Sequence, residues 1–229
     1  MRKGDNTKRE MLRAAEQLFC RKGYGETTVQ DILDQVHGSK GGFYHHFVSK
    51  DDVLMQLCTA RAEASAEACL EALRAAAGDM ARINTVFRFA IPLRAEELDF
   101  MGMLMPLLDK PESVSVRVCY QDAILTAFQP LLENELSRAA AAKTICPVTE
   151  SAAAPVLTLI NACWHSLALI LLDAARKKQK AEPALLLECL SACRKCVEAI
   201  LDPPFASVEL IPLAKLDNFS TQLISAFKE

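Results

Sequence analysis

The sequence predicts an all-α protein, built as a small basic three-helix head followed by a larger, acidic helical body. Three observations carry this. Alanine and leucine dominate a chain that is 51% hydrophobic but only 6% aromatic, with eight glycines in 229 residues, a mix that favours helices over sheets. Apolar residues recur at spacings of three and four, and no convincing alternating stretch of strand length interrupts them. Charge is unevenly divided: residues 1–50 hold nine Lys/Arg and six Asp/Glu, a balance of +3, while the rest hold 17 and 23, a balance of -6. The net -3 is therefore a sum of two unlike regions, and the average conceals a basic head.

The head divides into short helices. Met11, Leu12, Ala15, Leu18 and Phe19 form one apolar stripe, and Gly23 and Gly25 stop that helix. Thr27 or Thr28 caps a second helix with the stripe Val29, Ile32, Leu33 and Val36. After a break at His37-Gly38, Ser39 caps a very short third helix ending near His46-Phe47. Ser49 then caps a fourth, with Asp51 and Asp52 in its first turn, that runs to about Ala77. The body is expected to hold helices over about 79–91, 95–108, 112–138, 151–178, 184–202 and 208–227, punctuated by prolines that include Pro92, Pro106, Pro111, Pro147 and Pro183.

Two short helices joined by a tight glycine-containing turn, the second one basic and aromatic, have the geometry of a helix-turn-helix that lays its second helix in a DNA major groove. The same spacing also suits a three-helix subdomain with a merely solvated basic face. The residues themselves go further. Ala14-Ala15, Leu18-Phe19, Gly23-Tyr24, Thr27-Thr28-Val29, Asp31-Ile32 and, above all, Ser39-Lys40-Gly41-Gly42-Phe43-Tyr44-His45-His46-Phe47 followed by Ser49-Lys50-Asp51-Asp52-Val53-Leu54 resemble the DNA-binding head of the TetR (tetracycline-repressor-type) transcriptional regulators. The resemblance covers about residues 7–54 and implies DNA contacts from Thr27, Thr28, Gln30, Ser39, Lys40, Gly41, Gly42, Tyr44, His45 and Lys50. Chemically, Thr28 would offer a hydroxyl and backbone N–H to a phosphate, Lys40 would meet a phosphate or a guanine edge, and Lys50 would be a further phosphate clamp. Gly41 and Gly42 would let the backbone press against DNA. Phe47 is expected in the core. One departure from the family pattern stands out: Val36-His37-Gly38 brings the turn glycine one place late, which asks for a positive φ at His37 or a slight rearrangement of the turn.

The resemblance implies domains at 1–50, continuing into about 51–60, and at 51–229, the latter an effector-binding and dimerisation domain. The function implied is that of a homodimeric repressor released from a palindromic double-stranded DNA operator by a small apolar or amphipathic effector. Dimerisation is expected through helices about 151–178 and 184–202. The effector candidates are Phe89, Met101, Met105, Tyr120, Ile124, Phe128, Trp164 and His165, because methionines and aromatics adapt to ligand shape.

Nothing in the sequence points to an enzyme: no glycine-rich phosphate loop, GxSxG elbow or HExxH is present. No cofactor and no metal are expected. Nine scattered cysteines read as reduced core residues, and no secretory signal is visible, so a cytoplasmic protein is expected. Val156–Leu172 carries no charge but reads as a buried helix rather than a membrane span. An alternative rests on Cys189, Cys193 and Cys196, which share one helical face and would form a metal- or redox-responsive site.

Overall fold

The computed structural model describes residues 3–93, 97–108, 114–147 and 152–226, and all regular structure among them is helical. In chain order the helices are α1 (Lys3–Lys22), α2 (Val29–Val36), α3 (Lys40–His46), α4 (Lys50–Ala75), α5 (Asp79–Ala90), α6 (Leu98–Leu108), α7 (Val114–Ala141), α8 (Ala153–Arg176), α9 (Pro183–Leu201) and α10 (Leu213–Ala226). The expected helix starts at 95, 112 and 151, the end at 227, and Pro111 lie outside the described residues. The final helix begins at Leu213 rather than near 208. Pro212 disfavours helical geometry at Ile211 and lacks an N–H, so the approach stays extended.

The chain separates into two compact units: Met1–Arg61 with Asp99–Tyr120, and Ala62–Leu98 with Gln121–Glu229. The sequence reading anticipated one boundary near residues 50–60, and had no signal that Asp99–Tyr120 folds with the head.

In the first unit, α1 buries Met11, Ala14, Ala15, Leu18 and Phe19, as its stripe requires. Ile32 and Leu33 of α2, Phe43 of α3, and Phe47, Val53 and Leu54 complete this core. Phe43 and Phe47 pack with ring centroids 5.3 Å apart, so α3 is anchored by one aromatic face and leaves the other free. Arg61 of α4 donates from Nε to Glu16 of α1 at 2.9 Å, and its guanidinium lies 5.0 Å from the Phe100 ring centroid of α6.

In the second unit, α8 is the central helix and packs against α5, α9 and α10. Val156, Leu157, Ile160, Trp164, Leu167, Leu171 and Leu172 are all buried there. The helix is long and apolar enough to cross a membrane, with mean hydropathy 1.7, and 56% of that apolar stretch is buried against the rest of the protein. A buried carboxylate, Glu135 of α7, takes a two-pronged contact from Arg82 of α5 at 2.6 and 2.7 Å. This fork holds the guanidinium protonated beyond its ordinary range, chiefly through its hydrogen bonds to Glu135. Arg138 and Asp79 extend the cluster at 3.0 Å.

Four helices end on a left-handed residue that is not glycine: Asp202, with φ of 44°, and His37, Lys143 and Lys178, with φ of 50°, 59° and 53°. At the last three, the residue after it donates its N–H five places back: Gly38 to Leu33 and Thr144 to Ala139 and Gln179 to Ala174, all at 2.9 Å. This is the Schellman ending, which satisfies the last carbonyls of a helix. A left-handed non-glycine residue costs about 1 kcal/mol, which those closing hydrogen bonds and the packing around them offset.

Candidate nucleic-acid interface

The turn between α2 and α3 fixes the angle of α3. The sequence departure there resolves into two separate demands. His37 takes the left-handed conformation (φ 50°, ψ 38°), one of the two outcomes the late glycine allowed. Gly38 sits in close quarters: a Cβ on it would lie 3.1 Å from Val36 Cγ2 and 3.2 Å from Leu33 Cδ2, so those side chains would have to give by a few tenths of an ångström. Ser39 then caps α3 by accepting from the Gly42 N–H at 3.1 Å.

On α3, Lys40, Gly41, Tyr44 and His45 are exposed, while Phe43 is fully buried. Tyr44 keeps 59% of its surface accessible; its ring stands edge-on to Phe43, which holds the phenol outward. A Cβ on Gly41 would meet no atom within 4 Å, whereas on Gly42 it would lie 3.3 Å from Ser39 Oγ. Nothing among the described residues requires a glycine at position 41. Gln30 is exposed on α2 and donates to Asp34 Oδ1 at 2.7 Å.

Three expected DNA contacts have other work. Thr27 is fully buried and its hydroxyl donates to the Gly23 carbonyl at 2.8 Å; it closes the loop after α1. Thr28 forms a capping box with Asp31: its N–H and its hydroxyl both donate to Asp31 Oδ2 at 2.7 Å, and its Oγ1 accepts from the Asp31 N–H at 3.1 Å. Its donors are thus spent, and the N–H groups of the next residues, Val29 and Gln30, are the orphan donors of this helix start. Lys22 adds an ion pair to Asp31 at 2.7 Å. Lys22 and the Thr28 donors together hold the Asp31 carboxyl well below the usual carboxylate range.

Lys50 is the third of these residues. Its ammonium donates to the Tyr24 and Thr27 carbonyls at 2.8 and 2.9 Å and sits 4.2 Å from the Tyr24 ring centroid. Burial pulls its pKa below the ordinary lysine value. Tyr24 in turn donates to Asp51. Lys50 therefore ties the start of α4 to the loop between α1 and α2, a structural clasp that a lysine in a matching motif does not announce.

Val48 was missed from sequence. It follows α3 with 81% of its surface exposed, beside buried Phe47, and its N–H is held by Asp52 Oδ2 at 2.9 Å. The available signal was an apolar residue out of phase with the Phe43 and Phe47 pair. The exposed surface of the head thus combines a cation, a phenol, an imidazole, bare backbone at Gly41 and one apolar tip. That set matches phosphate, base edge and thymine methyl.

The effector candidates fall in both units. Met101, Met105 and Tyr120 are buried in the first; Ile124, Phe128 and Trp164 are buried in the second, where Phe89 and His165 are partly exposed. Within the second unit, Asn161 Nδ2 and Trp164 Nε1 are buried donors with no acceptor among the described residues. They are one turn apart on the same face of α8. The cysteine trio does not assemble as expected: Cys196 is exposed, while Cys189 and Cys193 of α9 converge on Cys163 of α8. Among the described residues no group of three or more His, Cys, Asp or Glu is arranged to hold a metal ion.

Residues 11–57 match the family model for bacterial regulatory proteins of the tetR family. An uncharacterized HTH-type transcriptional regulator in the lacX 3′ region of Lactococcus lactis is 46% identical over 50 residues, 22% of this chain and 26% of that protein. The HTH-type transcriptional repressor KstR2 of Mycobacterium tuberculosis is 40% identical over 48 residues, 21% of this chain and 24% of KstR2. The chain thus spans about a quarter of the length of these relatives. The crystal structure of the transcriptional regulator FadR from Bacillus subtilis with stearoyl-CoA shares the fold over 89% of this chain and 98% of FadR, with a TM-score of 0.57 and 16% identity.

Proposed function

We propose that this chain, whose head belongs to the tetR family of bacterial regulatory proteins, is a homodimeric, effector-released transcriptional repressor. The observation that carries the reading is α3: a helix locked by Phe43 and Phe47 on one face and presenting Lys40, Gly41, Tyr44 and His45 on the other. Ser39 and Gly42 set its start, and the N–H groups of Val29 and Gln30 meet a phosphate at the start of α2. Lys50, Thr27 and Thr28 act by holding that face in place.

One such head makes too few contacts for tight, specific binding, so two are required. The exposed stripe Pro155, Thr158, Ala162 and Ser166 on α8, with Leu185, Ala192 and Cys196 on α9, supports pairing of these two helices with a second copy. Most of these side chains are small, which allows close helix approach, and Leu185 is 47% exposed. The effector reading is supported by the orphan donors Asn161 and Trp164, each costing about 1–3 kcal/mol while unpaired. A ligand bearing a carbonyl, carboxylate or phenolate oxygen removes that cost. Binding then shifts α4, and with it the spacing of the two heads.

The test is binding to DNA upstream of the chain's own gene, with affinity falling steeply as salt rises. Absence of sequence-preferring, salt-sensitive binding there and across the genome overturns the proposal. A compound screen by thermal stabilisation tests the effector half separately.

A second reading is favoured by the thiols. Cys163 Sγ and Cys189 Sγ lie 3.9 Å apart, and Cys193 Sγ approaches the Leu159 carbonyl at 3.8 Å. The hydrogen bond from Cys163 stabilises the Cys189 thiolate and lowers its pKa, while Cys163 itself is raised. With a hydroperoxide, the Cys189 thiolate takes the terminal oxygen, giving a sulfenic acid and releasing an alcohol or water. Cys163 sulfur then displaces that hydroxyl, which leaves as water, and a disulfide forms. Peroxide-treated protein with no Cys163–Cys189 cross-link by mass spectrometry, or with unchanged operator affinity, removes this reading.

A further inference from the structure

The second unit carries a groove of about 700 Å³ that contains none of the effector candidates. One wall is the α9 face Leu187, Leu190 and Arg194; the other is the extended segment Val208–Pro212 with Lys215 beyond it, and Arg88 of α5 closes an end. The extended wall is built in. Asn84 of α5, itself buried, donates to the Ser207 carbonyl at 2.7 Å and accepts from the Glu209 N–H at 3.0 Å. That pair of hydrogen bonds is what a neighbouring strand would supply, so the segment stays extended without a sheet. Val208 and Leu210 turn inward and are buried, while Glu209 is exposed and Ile211 partly so.

The charge lining the groove is unequal: three cations, Arg88, Arg194 and Lys215, against Glu209. Among the described residues Lys215 makes no ion pair, and the nearest acid to Arg194 is Glu198 at 3.7 Å, too long for a good charge-assisted bond. Arg88 spends one nitrogen on Thr85 Oγ1 at 2.9 Å, which aims the guanidinium rather than neutralising it. Leu187 remains 49% exposed. An apolar trough with a cationic rim fits an amphipathic ligand whose head is anionic, and the volume lies in the usual range for such sites.

We propose that this groove binds a small amphipathic monoanion, with a carboxylate held by Arg194 and Lys215 and an alkyl or aromatic body lying along Leu187, Leu190 and Ile211. A guanidinium presents parallel N–H donors to a carboxylate. The lysine stem covers apolar surface while its ammonium stays at the rim. The site is separate from the Asn161 and Trp164 face of α8, so it stands whether or not that face holds an effector.

Calorimetric titration of the full-length protein with dodecanoate, below its micelle concentration, tests this without DNA. The expected result is saturable binding of one dodecanoate per chain, at least tenfold weaker for dodecanol. Arg194→Gln/Lys215→Gln weakens dodecanoate at least tenfold while leaving the unfolding midpoint in urea unchanged. Leu187→Asp, also on the exposed surface, abolishes binding of both compounds. No saturable binding, equal affinity for the alcohol, or undiminished binding by the charge variant overturns the proposal. Operator binding is measured independently, so failure here leaves the DNA-binding reading intact.

Discussion

Substituting Gly41 by alanine separates what the fold needs from what DNA needs. Gly41 is the second residue of α3, and an added Cβ meets no atom within 4 Å. Alanine is the better helix former, so Gly41→Ala is expected to stabilise the free protein by about 0.5 kcal/mol, half the interior-helix value because the site is in the first turn. If the bare backbone at 41 lies against DNA, the same methyl pushes the helix outward at both half-sites. A cost of about 1 kcal/mol per half-site is a modest steric penalty, at the low end of what one mismatched base pair costs. Over two half-sites it weakens operator binding roughly 30-fold. Urea denaturation reads the first effect, and fluorescence anisotropy on a labelled operator fragment reads the second. Gly38→Ala is the contrast, since its Cβ would lie 3.1 and 3.2 Å from Val36 and Leu33 side chains; it lowers stability by about 1 kcal/mol. Operator affinity unchanged by Gly41→Ala refutes the placement of this glycine at DNA, and a lowered urea midpoint refutes the account of α3 itself.

Other expected outcomes follow from packing and charge. Lys50→Met removes the clasp on the Tyr24 and Thr27 carbonyls; it lowers head stability while the salt slope of DNA binding stays that of the wild type, whereas Lys40→Met reduces that slope. Glu135→Gln leaves Arg82 with a neutral partner in a buried site and costs about 3 kcal/mol by chemical denaturation. Lys178→Gly, at a left-handed helix end, raises stability by up to about 1 kcal/mol, provided the closing bond from Gln179 is kept. For the thiols, the sign is set by which form is favoured: the Cys189 thiolate is stabilised, while Cys20 is pushed up to about 11 by burial and Glu16, and Cys58 to about 12 by burial. At pH 7 iodoacetamide should label Cys189 before either, and the order is read by peptide mass spectrometry.

Much of the head was legible in the chain because its signals are local. The Met11 to Phe19 stripe and the Ser39 cap each act over a few residues, so spacing alone predicts the helices, while the family resemblance, through the late Gly38, offered a left-handed His37 or a slightly rearranged turn. The candidate site was half legible for the same reason. Exposure of Lys40, Tyr44 and His45 follows from their being out of phase with Phe43 and Phe47. Thr28 as the cap of α2 was also legible, its partner Asp31 lying three residues on; the tasks of Thr27 and Lys50 were not, since Thr27 binds the Gly23 carbonyl and Lys50 the carbonyls of a loop more than twenty residues away.

By itself the sequence determined an all-α chain with a basic head, since helix propensity, apolar period and charge are properties of short windows. Only the tertiary structure decided that Asp99–Tyr120 folds with the head, and that Cys163 rather than Cys196 meets Cys189. It alone decided that Asn84 pins an extended segment more than a hundred residues away to shape a cationic groove. These are contacts between residues distant in the chain, set by which packing buries the most apolar surface while leaving the fewest polar groups unpaired.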